Sequence, residues 1–253
     1  MDTKTKKKIW LINPYGPIPS EAWRDYSFTI FGNYLSQRGF EVIWWTSNFS
    51  HHFKKYRSKD FKEITVKDNF KIKLIPSPSY KKNIGIGRVF RDWIFSYRTY
   101  KFGKKDKAPD LIIYSESPLS FGYAGPALAK YHNCKLVYDQ MDLWPELIVD
   151  VFPIRLKKVI NFFLLPVFRK RQKIFKSLDG VIALAEPYLN KAFEACPSLR
   201  DKPSEIIYNG IDLNEFRKLM KPSKSLTIPF FSHENINVIF AGSLGPSYDI
   251  ENI

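Results

Sequence analysis

Apolar residues recur along the chain in two spacings, and each spacing predicts a different element. Short apolar runs bounded by polar or glycine-containing turns predict buried strands, and apolar residues three or four positions apart predict helices. The predicted strands are 9–12, 41–46, 71–75, 110–114, 135–138, 180–184 and 205–208. The predicted helices lie near 22–35, 89–97, 121–130 and 155–176. Strands that alternate with helices in this order predict a doubly wound, mostly parallel α/β sheet.

The predicted helix near residues 89–97 has a well-marked apolar face. Its members are Val89, Phe90, Trp93, Ile94 and Tyr97, and the opposite face is basic. Such a stripe is typical of an amphipathic helix.

The pattern changes toward the end of the chain. Residues 218–235 are polar, contain Pro and Ser and show no clear period, which indicates a linker. Residues 237–241 then predict a fresh strand, followed by a glycine-rich turn at Gly242, Ser243 and Gly245. We therefore expect a first domain over 1–216, a linker over 217–236, and the start of a truncated second domain over 237–253.

Composition narrows the classes of function. The 253 residues are 44% hydrophobic, which excludes a disordered chain, and 40 Lys and Arg against 25 Asp and Glu give a net charge of +15. Such a charge favours anionic partners, namely phosphates, acidic lipid headgroups or nucleic acid. Nucleic-acid binding rests on net charge alone, without a recognition motif, so no nucleic acid is expected.

Cysteine usage and the amino terminus point to a cellular compartment. Cys134 and Cys196 show neither a disulfide nor a metal-ligand spacing, which suits a reducing cytoplasm. The apolar run 9–12 is too short for a signal peptide or a spanning helix. No spacing of His and carboxylates predicts a metal site, so neither a metal nor another cofactor is expected.

A carboxylate-rich turn follows the predicted strand 135–138. It holds Asp139, Gln140, Asp142 and Glu146, with Pro145 where a helix could begin. Open α/β sheets bind ligands beyond the carboxyl ends of their strands, where carboxylates grip hydroxyl groups. An alternative is that Asp142 only caps the following helix and Glu146 only favours its amino terminus. The spacing leaves both interpretations open.

Two loops could approach phosphate. Gly16, flanked by prolines, and the turn 242–245 each follow a predicted strand, although neither matches a complete phosphate-binding motif. His51 and His52 lie in a loop at the same edge of the sheet and could donate to a phosphate or hydroxyl group. Adjacent histidines on a loop are more often simply exposed.

Residues 155–176 carry eight basic residues and no acidic one around an apolar centre. That centre, 159–168, is too short to span a bilayer but could lie in its interface. An ordinary core-facing helix would explain the apolar residues but not the one-sided charge. The predicted membrane contacts are Arg155, Lys157, Lys158, Phe162, Phe163, Arg169, Lys170 and Arg171.

Five segments together resemble glycosyltransferase family 4 over nearly the whole chain. They are the opening strand, glycine loop and helix; Ser-Glu-Ser-Pro-Leu at 115–119; Asp-Leu-Trp-Pro-Glu at 142–146; Asn-Gly-Ile-Asp at 209–212; and Phe-Ala-Gly-Ser-Leu-Gly at 240–245. The segment 142–146 is the most specific and resembles members that build bacterial O-antigens, capsules and exopolysaccharides.

The resemblance implies a GT-B fold of two Rossmann-like domains, with retaining, metal-independent sugar transfer in the cleft between them. The first domain would mainly hold the acceptor and the second the nucleotide sugar. Carried over by position, the residues on the donor-phosphate side are Gly16, Gly242, Ser243 and Gly245. The substrate-binding residues include Gly16, Arg24, Asp142 and Glu146. Asp142 is also the candidate catalytic residue. Glu116, His51 and His52 join the substrate-binding set from their places at strand ends.

Two departures from the family pattern matter. Met141 stands where relatives carry Arg or His, and the second domain's diphosphate-binding pair and Glu-x7-Glu segment have no counterpart. The expected function is sugar transfer from a nucleotide sugar to a lipid-linked or glycan acceptor, in the cytoplasm at the inner face of the plasma membrane, with this chain inactive alone. The alternative is a non-catalytic membrane-docking module that needs a separate donor-binding partner.

Overall fold

The computed structural model describes residues 6–21, 27–81, 85–115, 124–150, 152–213, 216–217 and 236–237. The chain up to Asp212 forms one compact unit. Most of the predicted linker and the predicted strand 237–241 fall outside the described residues. The domain boundaries at 216 and 237 therefore stay predictions.

The described residues form one sheet with helices on both faces. Its strands are β1 (Lys8–Ile12), β2 (Glu41–Ser47), β3 (Lys62–Lys67), β4 (Phe70–Ile75), β5 (Leu111–Ser115), β6 (Lys135–Gln140), β7 (Gly180–Ala183) and β8 (Ser204–Ile206). The helices are α1 (Ser27–Gln37), α2 (Ile86–Gly103), α3 (Ala124–His132), α4 (Glu146–Asp150), α5 (Ile154–Phe175) and α6 (Glu186–Ala195).

The strand order is β3-β4-β2-β1-β5-β6-β7-β8. All pairs are parallel except β3 with β4. The expected doubly wound, mostly parallel α/β sheet, which is Rossmann-like in this arrangement, is confirmed. β1 lies at the centre, where Trp10 pairs with Ile43 on one side and Ile112 on the other.

Two apolar clusters hold the helices to the sheet. On one face, residues of α2, α3, α5 and α6, such as Phe95 and Phe175, pack with Trp10 and Tyr138. On the other face, Phe28 of α1 packs with residues of β1, β2 and β4. Helices α2, α3, α5 and α6 thus cover one face of the sheet, and α1 covers the other. Because helices follow parallel strands, each begins at the edge where those strands end.

The structure corrects several predicted elements. The strand β3 was not predicted, and β6 continues through Asp139 and Gln140, which the sequence assigned to a turn. β8 ends at Ile206, so residues 207–208 of the predicted strand lie beyond it.

The predicted helix is present as α2, but its apolar residues Val89, Phe90, Trp93 and Tyr97 are exposed. Phe95 and the polar Arg91, Asp92, Ser96 and Thr99 are buried instead. The physical reason is that Arg91 and Asp92 form hydrogen bonds with tyrosine hydroxyls inside the protein. These bonds fix the rotation of the helix about its axis.

Candidate functional site

The loops that follow β1, β2, β4 and β6 meet at one edge of the sheet, which we call the carboxyl edge. In an open α/β sheet this is where ligands bind. The described parts of these loops are 13–21, 48–61, 76–81 and 141–145. Four of the candidate residues from the sequence lie on these loops, namely Gly16, His51, His52 and Asp142.

The loop after β1 is held in place by Arg57. Its guanidinium donates to Glu21 at 2.8 and 3.1 Å, to the Gly16 carbonyl at 2.6 Å and to the Ser47 carbonyl at 2.9 Å. Burial alone would raise the pKa of Glu21, but the hydrogen bonds and charge of Arg57 outweigh burial and keep that pKa below its ordinary value. Gly16 has φ of 90°, a conformation that favours glycine. The predicted phosphate-approaching loop is therefore a fixed turn.

Beside Gly16 lies a polar cluster at the start of α2. We call it the arginine cluster, and its members are Tyr15, His51, Lys54, Tyr80, Arg88, Arg91 and Asp92. The Tyr15 hydroxyl donates to Asp92 at 2.6 Å, and Arg88 Nε donates to the Tyr15 hydroxyl at 3.1 Å. Arg91 donates to the Tyr80 hydroxyl at 3.1 Å and pairs with Asp92 at 3.1 Å. Side chains from three loops and one helix thus meet in one network.

The arginine cluster is cationic. Lys54, Arg88 and Arg91 face one carboxylate within the cluster, that of Asp92, whose pKa burial raises to about 6 despite the opposing effect of the nearby arginines. Arg91 is fully buried, and its Nε and Nη1 have no well-aligned acceptor within the described residues. Burying like charges is costly unless counter-charge is supplied. An anionic ligand would supply it.

The two candidate histidines have different surroundings. His51 is half-buried, shares a short contact with the Tyr80 hydroxyl, and packs edge-on against Tyr15 at 5.2 Å. Burial, followed by the charges of Lys54, Arg88 and Arg91, lowers the pKa of His51 to about 3. His51 is therefore neutral near pH 7 and can donate or accept one hydrogen bond. His52 is exposed and packs on Phe53.

Asp142 lies on the loop between β6 and α4, and it is not the cap of α4. Within the described residues, no backbone N–H of α4 donates to its side chain; the first turn is instead closed by Leu147 N–H on the Leu143 carbonyl at 2.8 Å. Burial raises the pKa of Asp142, while the Trp144 side chain and the Arg88 charge oppose that rise. Asp142 thus lies within electrostatic reach of the arginine cluster.

Glu146, predicted to bind substrate, is already paired. Its two carboxylate oxygens each accept a hydrogen bond of 2.6 Å from Arg171 of α5. Arg171 also donates to the Trp144 carbonyl at 2.7 Å and is 8% exposed. The two side chains tie the loop 142–146 to α5, and Arg171 is buried rather than at the surface expected of a membrane contact. The predicted ligand role of Glu146 stays a prediction.

Asp139 borders an apolar cavity at the carboxyl edge. The cavity has a volume of about 320 Å³ and lies between α1 and the ends of β6, β7 and β8. Its walls include Phe28, Ile30, Phe31, Tyr34, Met141, Ile182, Leu184 and Tyr208. Burial raises the pKa of Asp139 to about 7, and the described residues offer its side chain no hydrogen bond or ion pair. The cavity therefore combines apolar walls with a carboxyl group that can bind a hydroxyl or cationic group.

Met141 lies between the cavity and the loop after β1. Asn13 Nδ2 donates to the Met141 sulfur at 3.7 Å, and Met141 also packs against the apolar cluster that contains Phe28. A thioether neither titrates nor carries charge. At this position the cavity wall therefore has no proton donor or acceptor of the kind that Arg or His would provide.

The predicted membrane residues of α5, apart from Arg171, are at or near the surface. The contact with the sheet uses Arg171 and Phe175, with Ile160, Leu164, Val167 and Phe168 half-buried along the same side. Phe162 and Phe163 are 68% and 70% exposed. Lys157 pairs with Asp150 at 2.7 Å, while Arg155, Lys158, Arg169 and Lys170 are exposed.

Some candidates lie outside the described residues: Arg24, Glu116, Gly242, Ser243 and Gly245. Within the described ranges, no group of three or more His, Cys, Asp or Glu side chains is arranged to hold a metal ion. In the same part of the chain, none of the helices combines the length and apolar character needed to cross a bilayer.

Sequence reasoning missed most of the arginine cluster and the Arg57 clamp. A signal was present in α2, where Arg91 and Asp92 interrupt an otherwise apolar stretch. No local signal marked Arg57, because its partner Glu21 lies 36 positions away in the chain. Such pairs become visible only when the loops are brought together.

Comparison with known families gives one clear match. The family model described as Glycosyltransferase Family 4 matches residues 28–215, which include α1 and every strand from β2 to β8. No curated protein matches the chain significantly.

Several solved structures are similar. HepE of Anabaena in complex with UDP-glucose shares 14% identity at a TM-score of 0.44, over 82% of this chain and 45% of that one. HepE in complex with UDP and glucose shares 14% identity at a TM-score of 0.45, over 82% of this chain and 46% of that one. The trehalose-6-phosphate synthase OtsA shares 10% identity at a TM-score of 0.47, over 87% of this chain and 53% of that one. This chain spans about half the length of these proteins.

Proposed function

This chain belongs to glycosyltransferase family 4, and we propose that it takes part in transferring a sugar from a nucleotide sugar to a lipid-linked or glycan acceptor. The product would be a cell-surface polysaccharide such as an O-antigen or capsule. The observation that carries the proposal is the cationic arginine cluster beside Asp142 at the carboxyl edge. It offers both charges for phosphate and a carboxylate for hydroxyl groups in one place.

The substrates of such a transfer carry phosphate. Lys54, Arg88 and Arg91 would offset phosphate charge, and a compensating anion would relieve the burial of Arg91. The turn at Gly16 exposes backbone beside them. Anion binding here fits the diphosphate of a nucleotide sugar or that of a lipid-linked acceptor equally well, so both are tested.

The proposed transfer retains the anomeric configuration. The bond from the sugar's anomeric carbon to the diphosphate breaks, a bond to the acceptor oxygen forms, and the acceptor's proton leaves with the departing diphosphate. Asp142 would bind hydroxyl groups of the sugar or acceptor by charge-assisted hydrogen bonds. Cations near the diphosphate stabilise the charge that develops on it, which is commonly the largest single contribution to catalysis.

The cavity at Asp139 is the proposed place for part of the acceptor. Its volume of about 320 Å³ is at the lower end of the range for small-molecule sites. Its apolar walls fit the apolar portion of an acceptor, and Asp139 fits a hydroxyl group on it.

Calorimetric titration of the chain tests anion binding. A panel of nucleotide sugars forms one arm and short-chain prenyl diphosphates form the other, with inorganic phosphate and a neutral sugar as controls. Arg88→Gln should weaken binding of the phosphate-containing ligand by about tenfold or more. If no diphosphate in either arm binds more tightly than phosphate alone, the proposed site is wrong.

Turnover tests the role of Asp142. In an assay of sugar transfer from a nucleotide sugar to a lipid-linked acceptor, run with the donor-binding domain present, Asp142→Asn should lower the transfer rate by on the order of 100-fold. The melting temperature of the variant should stay unchanged, because within the described residues the Asp142 carboxylate accepts no hydrogen bond from α4. The matched control is Asp68→Asn, an exposed turn residue away from the carboxyl edge. Unchanged turnover with a lowered melting temperature would assign Asp142 a structural role instead.

Peripheral attachment to the inner face of the plasma membrane is part of the proposal. The supporting observation is that α5 exposes Phe162 and Phe163 next to uncompensated basic residues. Aromatic rings at the interface and cations at anionic headgroups would act together. Phe162→Ser with Phe163→Ser should reduce sedimentation with anionic vesicles, and Tyr34→Ser, half-exposed on α1 at the other face of the sheet, should not. Equal sedimentation of all three proteins would contradict attachment through α5.

The second candidate function is a non-catalytic docking module that needs a separate donor-binding partner. The exposed apolar and basic surface of α5 favours it independently of any substrate site. Vesicle binding without binding of any nucleotide sugar would support this function. Binding of nucleotide sugar by the chain itself would exclude it.

A further inference from the structure

Helix α2 is turned the opposite way from an ordinary amphipathic helix. Val89, Phe90, Trp93 and Tyr97 are 37%, 54%, 54% and 42% exposed. Their spacing of three to four residues places them on one stripe along the helix. We call this stripe the α2 aromatic face. The rings of Trp93 and Tyr97 stack on it with nearly parallel planes, their centroids 6.1 Å apart and the interplanar angle 9°.

The rotation of α2 is fixed from inside the protein. Asp92 accepts a hydrogen bond from Tyr15, and Arg91 donates to Tyr80 and pairs with Asp92. Phe95, one turn further on, packs into the main apolar cluster. Turning the aromatic face inward would expose Phe95 and break a buried charged network. The outward direction of the aromatic residues is therefore a property of the folded domain.

Contiguous exposed apolar surface on a soluble domain marks a contact with another apolar surface. The charges around the α2 aromatic face indicate what that surface is. Arg98 and Lys101 are exposed on α2, and Lys104 and Lys105 follow it directly. Over 86–105 the sequence contains one acidic residue, Asp92, and that residue is buried. The outward side of α2 is thus aromatic and cationic, without a compensating carboxylate.

An anionic lipid bilayer has the complementary chemistry. Trp and Tyr are favoured at the level of the headgroups, where one part of the ring is apolar and the other is wet. Lys and Arg are attracted to anionic headgroups within a Debye length of the surface. We propose that the α2 aromatic face is a second membrane-docking surface, which inserts its aromatic residues into the interface of an anionic bilayer.

The position of α2 relative to α5 supports this assignment. Both helices lie in the same layer, because Phe95 of α2 and Phe175 of α5 belong to one apolar cluster. Both begin toward the carboxyl edge, and their exposed apolar residues lie mostly in their first halves. Two helices of one layer can therefore contact one plane, which would hold the carboxyl edge close to the membrane where a lipid-linked acceptor resides. The proposal extends the attachment proposed for α5, and separate variants distinguish the two.

Fluorescence provides a local test, because Trp93 is well exposed whereas Trp10, Trp44 and Trp45 are fully buried. The full chain is titrated with vesicles of neutral lipid and with vesicles containing 30% anionic lipid, each with and without brominated acyl chains. We expect quenching by brominated anionic vesicles in the wild type and loss of most of that quenching in Trp93→Phe. Quenching that is absent, or the same in Trp93→Phe, would overturn the proposal.

Sedimentation measures the contribution of the face to binding. Phe90→Ser with Trp93→Ser should weaken partition into anionic vesicles by on the order of tenfold, since binding scales with the apolar area inserted. Tyr34→Ser, at 50% exposure on α1 at the other face of the sheet, is the control and should bind as the wild type does. The α5 variant Phe162→Ser with Phe163→Ser should retain quenching at Trp93 at high lipid concentration, which separates the two surfaces.

Other occupants of the face give different results. If the α2 double variant binds vesicles normally but loses a concentration-dependent dimer in light scattering, the face is a contact between copies of the chain. If a soluble oligosaccharide, but no vesicle, changes Trp93 fluorescence, the face binds glycan. Either result would overturn membrane docking. Because the substituted side chains are exposed, melting temperatures within a few degrees of the wild type are expected for all variants.

Discussion

Asp139→Asn should stabilise this protein at alkaline pH and leave it almost unchanged in acid. Asp139 borders the cavity at the carboxyl edge, where burial raises the pKa of its carboxyl group from 3.8 to about 7. Asn has nearly the same shape and keeps the polar contact surface, but it does not ionise. The substitution therefore removes the cost of holding a charge in this environment and little else.

The sign and size follow from proton binding. Between about pH 4 and pH 7 the folded protein keeps a proton on Asp139 that the unfolded chain has released. The free energy of unfolding of the wild type therefore falls as the pH rises through this window. A difference of about three pKa units corresponds to roughly 4 kcal/mol, and partial access of water to the cavity lowers this to about 2–4 kcal/mol above pH 7. At pH 4.5 the same calculation gives a stabilisation of the variant over the wild type of only about 1 kcal/mol.

Thermal and urea unfolding of wild type and Asp139→Asn at pH 4.5, 6, 7 and 8 measure the effect. At pH 8 the melting temperature of the variant should be roughly 5–12 °C above that of the wild type. Asp68→Asn, at an exposed turn, controls for the general loss of one negative charge and should show no such pH dependence. Carbon-13 NMR of the labelled carboxyl group gives the pKa of Asp139 directly.

Two results would refute this reasoning. An equal change in stability at pH 4.5 and pH 8 would show that ionisation of Asp139 does not matter. A destabilised variant at every pH would show that the carboxylate makes a favourable interaction in the folded state, so that the buried charge is compensated.

Further predictions concern the ties between elements. Glu146→Gln leaves Arg171 buried without its counter-charge and should lower the free energy of unfolding by about 3–5 kcal/mol, whereas Glu146→Gln with Arg171→Met should recover most of the loss. A change in urea unfolding of under about 0.5 kcal/mol for Glu146→Gln would contradict a structural role for the pair. Gly32→Ala places a Cβ 2.7–2.8 Å from Phe70 ring carbons and should cost about 1–3 kcal/mol in unfolding experiments. Gly87→Ala, whose Cβ meets Tyr80 only at 3.8 Å, should cost nothing, and equal losses for both glycines would refute the packing argument.

The central strands were predictable because burial on both faces leaves a mark in each of them. β1, β2 and β5 are continuous apolar runs, as expected for parallel strands covered on both sides. β3 left no such mark, since it is an edge strand whose residues Lys62–Lys67 are mostly exposed and alternate with charges. The segment 142–146 was also found from the sequence, and its place at the carboxyl edge followed from the strand before it.

The roles of individual side chains were less predictable. Glu146 was expected to face substrate, but its partner Arg171 lies 25 residues away on α5. The direction in which the apolar stripe of α2 faces could not be read from the sequence for a similar reason. Amphipathic spacing places apolar residues in the core only when no polar partners inside the protein hold the opposite side of the helix. Here the Tyr15 hydroxyl donates to Asp92, and the Tyr80 hydroxyl accepts a hydrogen bond from Arg91.

The sequence by itself determined the alternation of strands and helices, the parallel sheet and the excess of positive charge. These follow from local periodicity and composition, which do not depend on contacts. The family was indicated by motifs that resemble glycosyltransferase family 4, and the family model shows it. Only the tertiary structure decided which charges are buried, that Asp139 borders an apolar cavity, and which aromatic residues face outward. Those outcomes depend on pairing between loops far apart in the chain, because the free energy of a buried charge is set by the partner that the fold places beside it.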